Sequence, residues 1–326
     1  MPVILSSDKT CLTVFHRKMV YPVYLTIGNI PKAIRRKPSC RAQVLIGYIP
    51  TTDLGNIMSK AARCCALGNL FHACMENVLA PIASCGDLGV AMMSVDGIWR
   101  CCHPILAVFV GDYPEQALVT CTYNDHCSKC QVPHNRLGKY RSFSPCVQSD
   151  AVNIYHLANN TPVFRKACRE AGLKLVSRPF WVSHQFTDIF LSITPDILHQ
   201  LLQGVMKHIV EWLSSPTVFG SADINMQCRC LPPNHSITLF GKGITMLSHL
   251  SGKDHKNICR ILLGLIVGLS VPGGQASSRV VRAVRALLDF LYLSQFPSHT
   301  TDTLCQLQDS LALFHENKAV FVDLGT

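Results

Sequence analysis

Acidic residues are scarce in this chain: 20 Asp and Glu stand against 30 Lys and Arg in 326 residues, a formal charge of +10 at pH 7. Charge of either sign is thin, at 15% of residues, while 48% are hydrophobic. A disordered chain needs the opposite balance, low apolarity with high charge, so that class is excluded. Long hydrophobic runs are missing. The longest, Ile261 to Val271, is broken by Gly264, Gly268 and Ser270. It falls far below the roughly 18 apolar residues of a membrane span, so no membrane association is expected. The opening residues through Asp8 lack a basic stretch followed by a long apolar segment, so a secretory leader is not expected. The expected location is the nucleus or cytoplasm. Internal repeats and low-complexity tracts are also missing.

Cysteine, by contrast, is plentiful at 17 residues. The odd count, the missing leader and the vicinal pairs Cys64-Cys65 and Cys101-Cys102 argue against a disulfide framework. Free thiols in a reducing compartment are expected, most of them serving as small buried apolar side chains.

The first 125 residues read as an α/β pattern. Apolar runs at Pro2–Ser7, Val23–Ile27 and Ala42–Ile49 are bounded by turn residues and predict three strands. Lys60 to Leu79 places Leu67, Leu70, Phe71, Cys74 and Val78 at helical spacing, with Pro81 just beyond as a stop. Val90–Ser94 followed by Asp96-Gly97 reads as a strand entering a hairpin turn. Ile105–Val110 is an unbroken apolar strand of the kind buried on both faces. The order is strand, strand, strand, helix, strand. Residues 124–148 read as a polar loop. After Thr194 the chain turns helical, with Thr194-Pro195-Asp196 as cap, first-turn proline and first-turn acid. Helices are expected near Asn257–Leu269, Ser278–Ser294 and Thr303–His315. The expected regions are therefore 1–125 (core), 126–190 (Cys-x-x-Cys loop and connecting segment) and 191–326 (helical).

Four constellations bear on chemistry. Asp8 and Asp112 each close an apolar strand, and two carboxylates at adjacent strand ends can bind hard cations; the plainer reading has each acid starting a turn. Cys127-Ser128-Lys129-Cys130 has the spacing at which two thiolates take adjacent corners of a zinc tetrahedron, with Cys121, His126 and His134 near in sequence; two incidental thiols or a redox pair are the alternatives. Asp196 and His199, three apart on a helix, share a face, so His199 could complete the Cys127/Cys130 site or be an ordinary boundary histidine. Lys32, Arg35, Arg36, Lys37 and Arg41 form a dense basic loop, and Arg279, Arg282 and Arg285 a helical stripe. Both suit a polyanion, solvated surface charge being the alternative, and the loop also suits a nuclear address.

These residues also resemble a family. Ser6-Ser7-Asp8-Lys9-Thr10, Tyr24 to Pro31, Ile34 to Ser39, Cys102-His103-Pro104-Ile105, Gly111-Asp112-Tyr113-Pro114-Glu115-Gln116, Cys127-x-x-Cys130, Pro195 to Gln200 and Phe314 to Lys318 resemble, in that order, the Plavaka transposases, cut-and-paste DNA transposon proteins grouped with the CACTA transposases. The resemblance implies an RNase H-like core with a DDE/D triad whose first two acids fall on Asp8 and Asp112. It implies two Mg²⁺ or Mn²⁺ ions and a Zn²⁺-supported insertion at Cys127, Cys130, Asp196 and His199. The implied partner is double-stranded DNA at transposon ends; a homo-oligomer is the further partner expectation. It also implies a fragment, because the family's third acid and upstream DNA-recognition region find no match here; Glu316 and Asp323 precede the place where that acid is expected. Strand-transfer activity is accordingly not expected of this chain alone. A non-catalytic DNA-binding or regulatory protein derived from a transposase is the alternative.

Overall fold

Alternation decides the faces of the first strand, β1 (Pro2–Ser7): Val3, Leu5 and Ser7 are buried, and the residues between them face the other way. β1 begins the first of two units in the computed structural model, which describes residues 1–13, 18–248, 250–274 and 277–326. The first unit comprises Met1–Gly138 and Ser142–Thr194, the second Lys139–Arg141 and Pro195–Thr326.

In the first unit β1 is followed by a small antiparallel pair, β2 (Thr10–Cys11) and β3 (Met19–Val20), then β4 (Pro22–Ile27), α1 (Lys32–Arg35) and β5 (Val44–Tyr48). The long helix α2 (Lys60–Leu88), the hairpin β6 (Val90–Met93) and β7 (Trp99–Cys102), and β8 (Ile105–Val110) complete the sheet region. The main sheet has the order β5-β4-β1-β8; β1 is antiparallel to β4 and parallel to β8. Val3, Leu5, Val23, Leu106 and Phe109 from the sheet share a core with Phe71, Met75 and Leu79 of α2, which recur every fourth residue. The strand–strand–strand–helix–strand order matches the sequence reading.

Two local expectations fail. α2 does not stop before Pro81 but runs through it to Leu88. The ring removes one helical hydrogen bond, and the burial of Leu79 with Ile82 packed on the same core outweighs that loss. β8 is not buried on both faces: Leu106 and Phe109 are covered, whereas Val110 is 44% exposed. An unbroken apolar run fits a strand with one covered face as well as two, since apolar atoms are ordinary on protein surfaces.

Four short helices follow: α3 (Tyr113–Val119), α4 (Gln148–Tyr155), α5 (Thr161–Ala171) and α6 (Ile189–Ser192). They bring Ala151, Tyr155, Phe164, Cys168 and Ile189 into the same core. Ile193 then bridges Phe109 in parallel, on the side of β8 away from β1.

The second unit opens with a nine-residue π-helix, Ile197–Val205, continuing into α7 (Met206–Leu213). Asp196, rather than Thr194, is the cap: its side chain accepts the Leu198 N–H at 2.9 Å. Gly204 suits the wide turn, because a Cβ there would lie 2.9 Å from the His199 carbonyl oxygen. Then come α8 (Ser221–Cys230), α9 (Gly252–Ile266), α10 (Ser277–Leu293), α11 (Thr301–Asn317) and α12 (Ala319–Asp323). Ser251 and Asp254 form a reciprocal capping box on α9. Leu202, Ile209, Leu213, Leu262, Val284 and Leu287 are among the residues of its apolar core.

The thiols are all free, as expected, but their burial is not. Only Cys121, Cys168, Cys228 and Cys259 are buried, and six others, including Cys40 and Cys101, are exposed.

Candidate functional site

Parallel pairing sets Leu5 beside Phe109 and Ser6 beside Val110. Two residues further along each chain stand Asp8 and Asp112, so both carboxylates leave the sheet at the same end of neighbouring strands. Asp112 caps α3: its Oδ1 accepts the Glu115 N–H at 2.9 Å, and its carbonyl accepts the Gln116 N–H at 2.8 Å. Gln116 Nε2 donates to the Gly111 and Thr194 carbonyls, each at 2.9 Å, and fastens the strand-to-helix corner. Asp8 is exposed and Asp112 half-buried.

Behind the pair lies a third carboxyl, Glu115, only 6% exposed. Tyr21 Oη donates to its Oε2 at 2.5 Å. Burial pushes the Glu115 carboxyl up to about 7; the Tyr21 and Ser7 hydroxyls oppose the rise, and the Asp112 and Asp8 charges add to it. The Tyr21 phenol is also raised, by burial first and by the Glu115 charge second. Ser7 Oγ and Glu115 Oε1 are both buried, with no partner outside this cluster. Glu115 stands inside the Gly111–Gln116 motif, yet nothing in a one-dimensional reading marks it as inward-facing.

The basic loop stands elsewhere. It leaves β4 after Ile27 and re-enters the sheet at Val44. Ile27 pairs with Val3 at the beginning of β1, whereas Asp8 follows the end of β1. Lys32, Arg35, Arg36, Lys37 and Arg41 therefore occupy the opposite end of the sheet, roughly 20 Å away along a six-residue strand. Arg35 Nε is held by the Ile30 carbonyl at 2.8 Å. Lys32, Arg36, Lys37 and Arg41 are exposed and have no ion-pair partner among the described residues. On the helical stripe, Arg279 pairs with Asp323 and Arg285 with Asp289, so that face is partly neutralised.

Cys127 and Cys130 lie in the polar loop of the first unit, joined by a third thiol that the spacing did not reveal. Cys130 bridges Pro145, the Cys146 N–H donates to the Lys129 carbonyl at 3.0 Å, and the Cys146 thiol points at the Cys127 carbonyl at 3.7 Å. Burial, then the neighbouring Cys127 and Cys130, pushes the Cys146 thiol up to about 11. These thiols border a cavity of about 380 Å³. Their soft donors suit zinc in kind. Among the described residues, however, no three His, Cys, Asp or Glu side chains are arranged to hold a metal ion. Cys121 belongs instead to the core, its Sγ 3.1 Å from His72 Nε2. His126 pairs with Asp125 at 2.9 Å. In the second unit, His199 Nδ1 pairs with Asp196 on the π-helix, a turn type that is often found at functional segments.

An α/β fold with two acids at adjoining parallel strand tips and a basic loop at the far end is thus the frame on which function is to be placed. The model of the Plavaka transposase family matches residues 1–213, and the chain belongs to that family. The match contains the acid pair, the basic loop, the Cys-x-x-Cys and the Asp196–His199 pair. Membership implies DNA as the general partner. No curated protein matches the chain. No helix among the described residues is long and apolar enough to cross a membrane.

Proposed function

We propose that this is a transposase-derived protein whose first unit is an RNase H-like core retaining two metal-binding carboxylates, Asp8 and Asp112, and that it binds double-stranded DNA but does not complete strand transfer alone. The observation that carries the reading is the parallel register of β1 and β8, which delivers both acids to one sheet end. The order β5-β4-β1-β8, with Ile193 continuing beyond β8, supports the same core.

Asp112 uses Oδ1 in the helix cap and keeps Oδ2 for a ligand, while Asp8 projects into solvent beside it. These hard oxygen donors fit Mg²⁺ or Mn²⁺ in kind, and such ions supply Lewis-acid chemistry toward phosphodiesters. A two-metal centre needs more fixed ligands than two, which is why catalysis is not assigned to the chain by itself. Zn²⁺, where held, falls to Cys127 and Cys130 and braces their loop.

Titration of the full chain with Mn²⁺, followed by electron paramagnetic resonance, tests the acid pair. Asp8→Asn and Asp112→Asn are each expected to weaken binding by at least about tenfold. Equal affinity in wild type and both variants overturns the assignment. Mg²⁺-dependent nicking of transposon-end DNA by wild type, abolished in Asp112→Asn, overturns the inactive reading.

The distance of the basic loop from the acids favours DNA binding that is separable from metal binding. Replacing Lys32, Arg36, Lys37 and Arg41 together by Gln should make the salt dependence of DNA affinity shallower, by about 0.9 in slope for every phosphate that the loop no longer neutralises. Asp8→Asn should leave that slope unchanged. A slope unaffected by the four substitutions removes the loop from the interface.

A further inference from the structure

Glu115 is the buried ionisable group that the acid-pair reading leaves unused. Its side chain lies beneath the β8–α3 corner: a Cβ on Gly111 would fall 2.7 Å from Glu115 Cγ, so the glycine makes room for it. Its two ends do different things. The backbone N–H is the donor that fixes Asp112 Oδ1. The carboxyl accepts Tyr21 Oη at 2.5 Å, and Tyr21 stands between β3 and β4 at the same end of the sheet. Tyr21 is itself held, 7% exposed and stacked 5.8 Å from Phe71 of α2. The bond therefore runs from α3 to the start of β4, behind the tip of β1, and ties together the two corners that flank Asp8.

We propose that Glu115, anchored by Tyr21, is the positioning residue of the acid pair: it holds the N-terminus of α3 so that Asp112 keeps one oxygen turned toward the Asp8 side. This rests on the reading of Asp8 and Asp112 as a cation site. Glu115 acts through Asp112 and does not itself touch the cation. A buried carboxyl in an apolar core costs free energy unless it is bonded. Oε1 and the equally buried Ser7 Oγ find no partner outside this cluster, so the brace carries a polar cost that the rest of the core does not remove. Partners one step behind metal ligands commonly matter this way, because they decide where the ligand points.

The test uses the full chain with three substitutions and two readouts. Tyr21→Phe deletes only the hydroxyl, Glu115→Ala deletes the brace, and Glu115→Gln keeps an acceptor oxygen for Tyr21 while removing the charge. The first readout is amide hydrogen exchange at residues 111–120, which needs no metal. Tyr21→Phe and Glu115→Ala should speed exchange at the Glu115 N–H relative to α5 of the same unit, and Glu115→Gln should not. Unchanged exchange in both overturns the positioning role; exchange that rises equally in α5 shows general destabilisation of the first unit and also overturns it. The second readout is Mn²⁺ affinity, expected to fall about 10-fold or more in Tyr21→Phe and Glu115→Ala and to be retained in Glu115→Gln. A loss in Glu115→Gln as large as in Glu115→Ala makes Glu115 a charge donor or ligand and overturns positioning. Wild-type chain that binds no Mn²⁺ at the Asp8–Asp112 pair sinks the cation-site reading, and the exchange result then decides the brace by itself.

Discussion

Trp181→Ala is expected to destabilise the first unit by about 3–5 kcal/mol, the range for truncating a buried aromatic. Trp181 is fully buried, and its Nε1 donates to the Val119 carbonyl at 2.9 Å. Its ring meets Tyr155 edge-on at 5.9 Å and Phe190 at 6.2 Å, so one side chain joins the end of α3, α4 and α6. Alanine leaves a cavity and strips the Val119 carbonyl of its donor. Trp181→Phe separates the two effects: most of the volume stays, while the orphaned carbonyl still costs about 1–3 kcal/mol. Against a total of about 5–15 kcal/mol for a typical domain, the alanine variant loses a large share of its stability. Urea unfolding followed by circular dichroism reads both. A loss below about 1 kcal/mol for alanine contradicts the packing described, since cavity formation alone exceeds that.

Acid should destabilise this unit through His72. The imidazole is fully buried between Phe71 and Phe180, and burial holds its pKa down to about 4. Its bonds leave no place for a second proton. Nε2 lies 3.0 Å from the Leu118 carbonyl and donates to it, while Nδ1 accepts the Phe180 N–H at 3.3 Å. Protonating Nδ1 would set two N–H groups against each other. The folded value lies below the ordinary histidine value of 6.5. Between these values the unfolded chain binds more protons, so stability is present above pH 6.5 and is lost as pH falls toward 4. The shift bounds the effect at roughly 3 kcal/mol. Glu115 works with opposite sign: its raised carboxyl costs stability as pH climbs from 4.5 to about 7. Comparing urea midpoints of wild type and His72→Gln at pH 7 and pH 4.5 isolates the histidine. The gap between the two proteins should narrow on acidification, and a constant gap removes His72 as the acid-sensitive group.

Legibility differed sharply among the parts of the candidate site. Asp8 and Asp112 were readable because each follows an apolar run and closes it, a local signal. The basic loop was readable as a cluster of charge, but its placement was not. Nothing in residues 28–43 records that antiparallel pairing of β4 with β1 turns them away from the acids. Glu115 was invisible because residues 113–119 were not read as a helix at all, and a lone acid after a strand end is ordinarily exposed. Cys146 was missed because a hairpin-like return of the loop at Pro145, rather than a spacing rule, brings it to Cys127 and Cys130. Pro81 misled because its stop signal is local, while the burial that overrides it comes from the sheet.

By itself, then, the amino-acid order determined which stretches alternate into strands, which repeat into helices, that the thiols stay unpaired, and which family the chain resembles. Those properties depend on neighbours within a few residues or on motif order along the chain. Tertiary structure alone decided that β1 and β8, a hundred residues apart, lie side by side and parallel. It also decided that a tyrosine and a glutamate meet behind them and that the cationic side chains stand at the far end. The physical reason is that a period of two fixes the face a side chain takes, whereas partner and direction are chosen only when distant strands bury their apolar faces together.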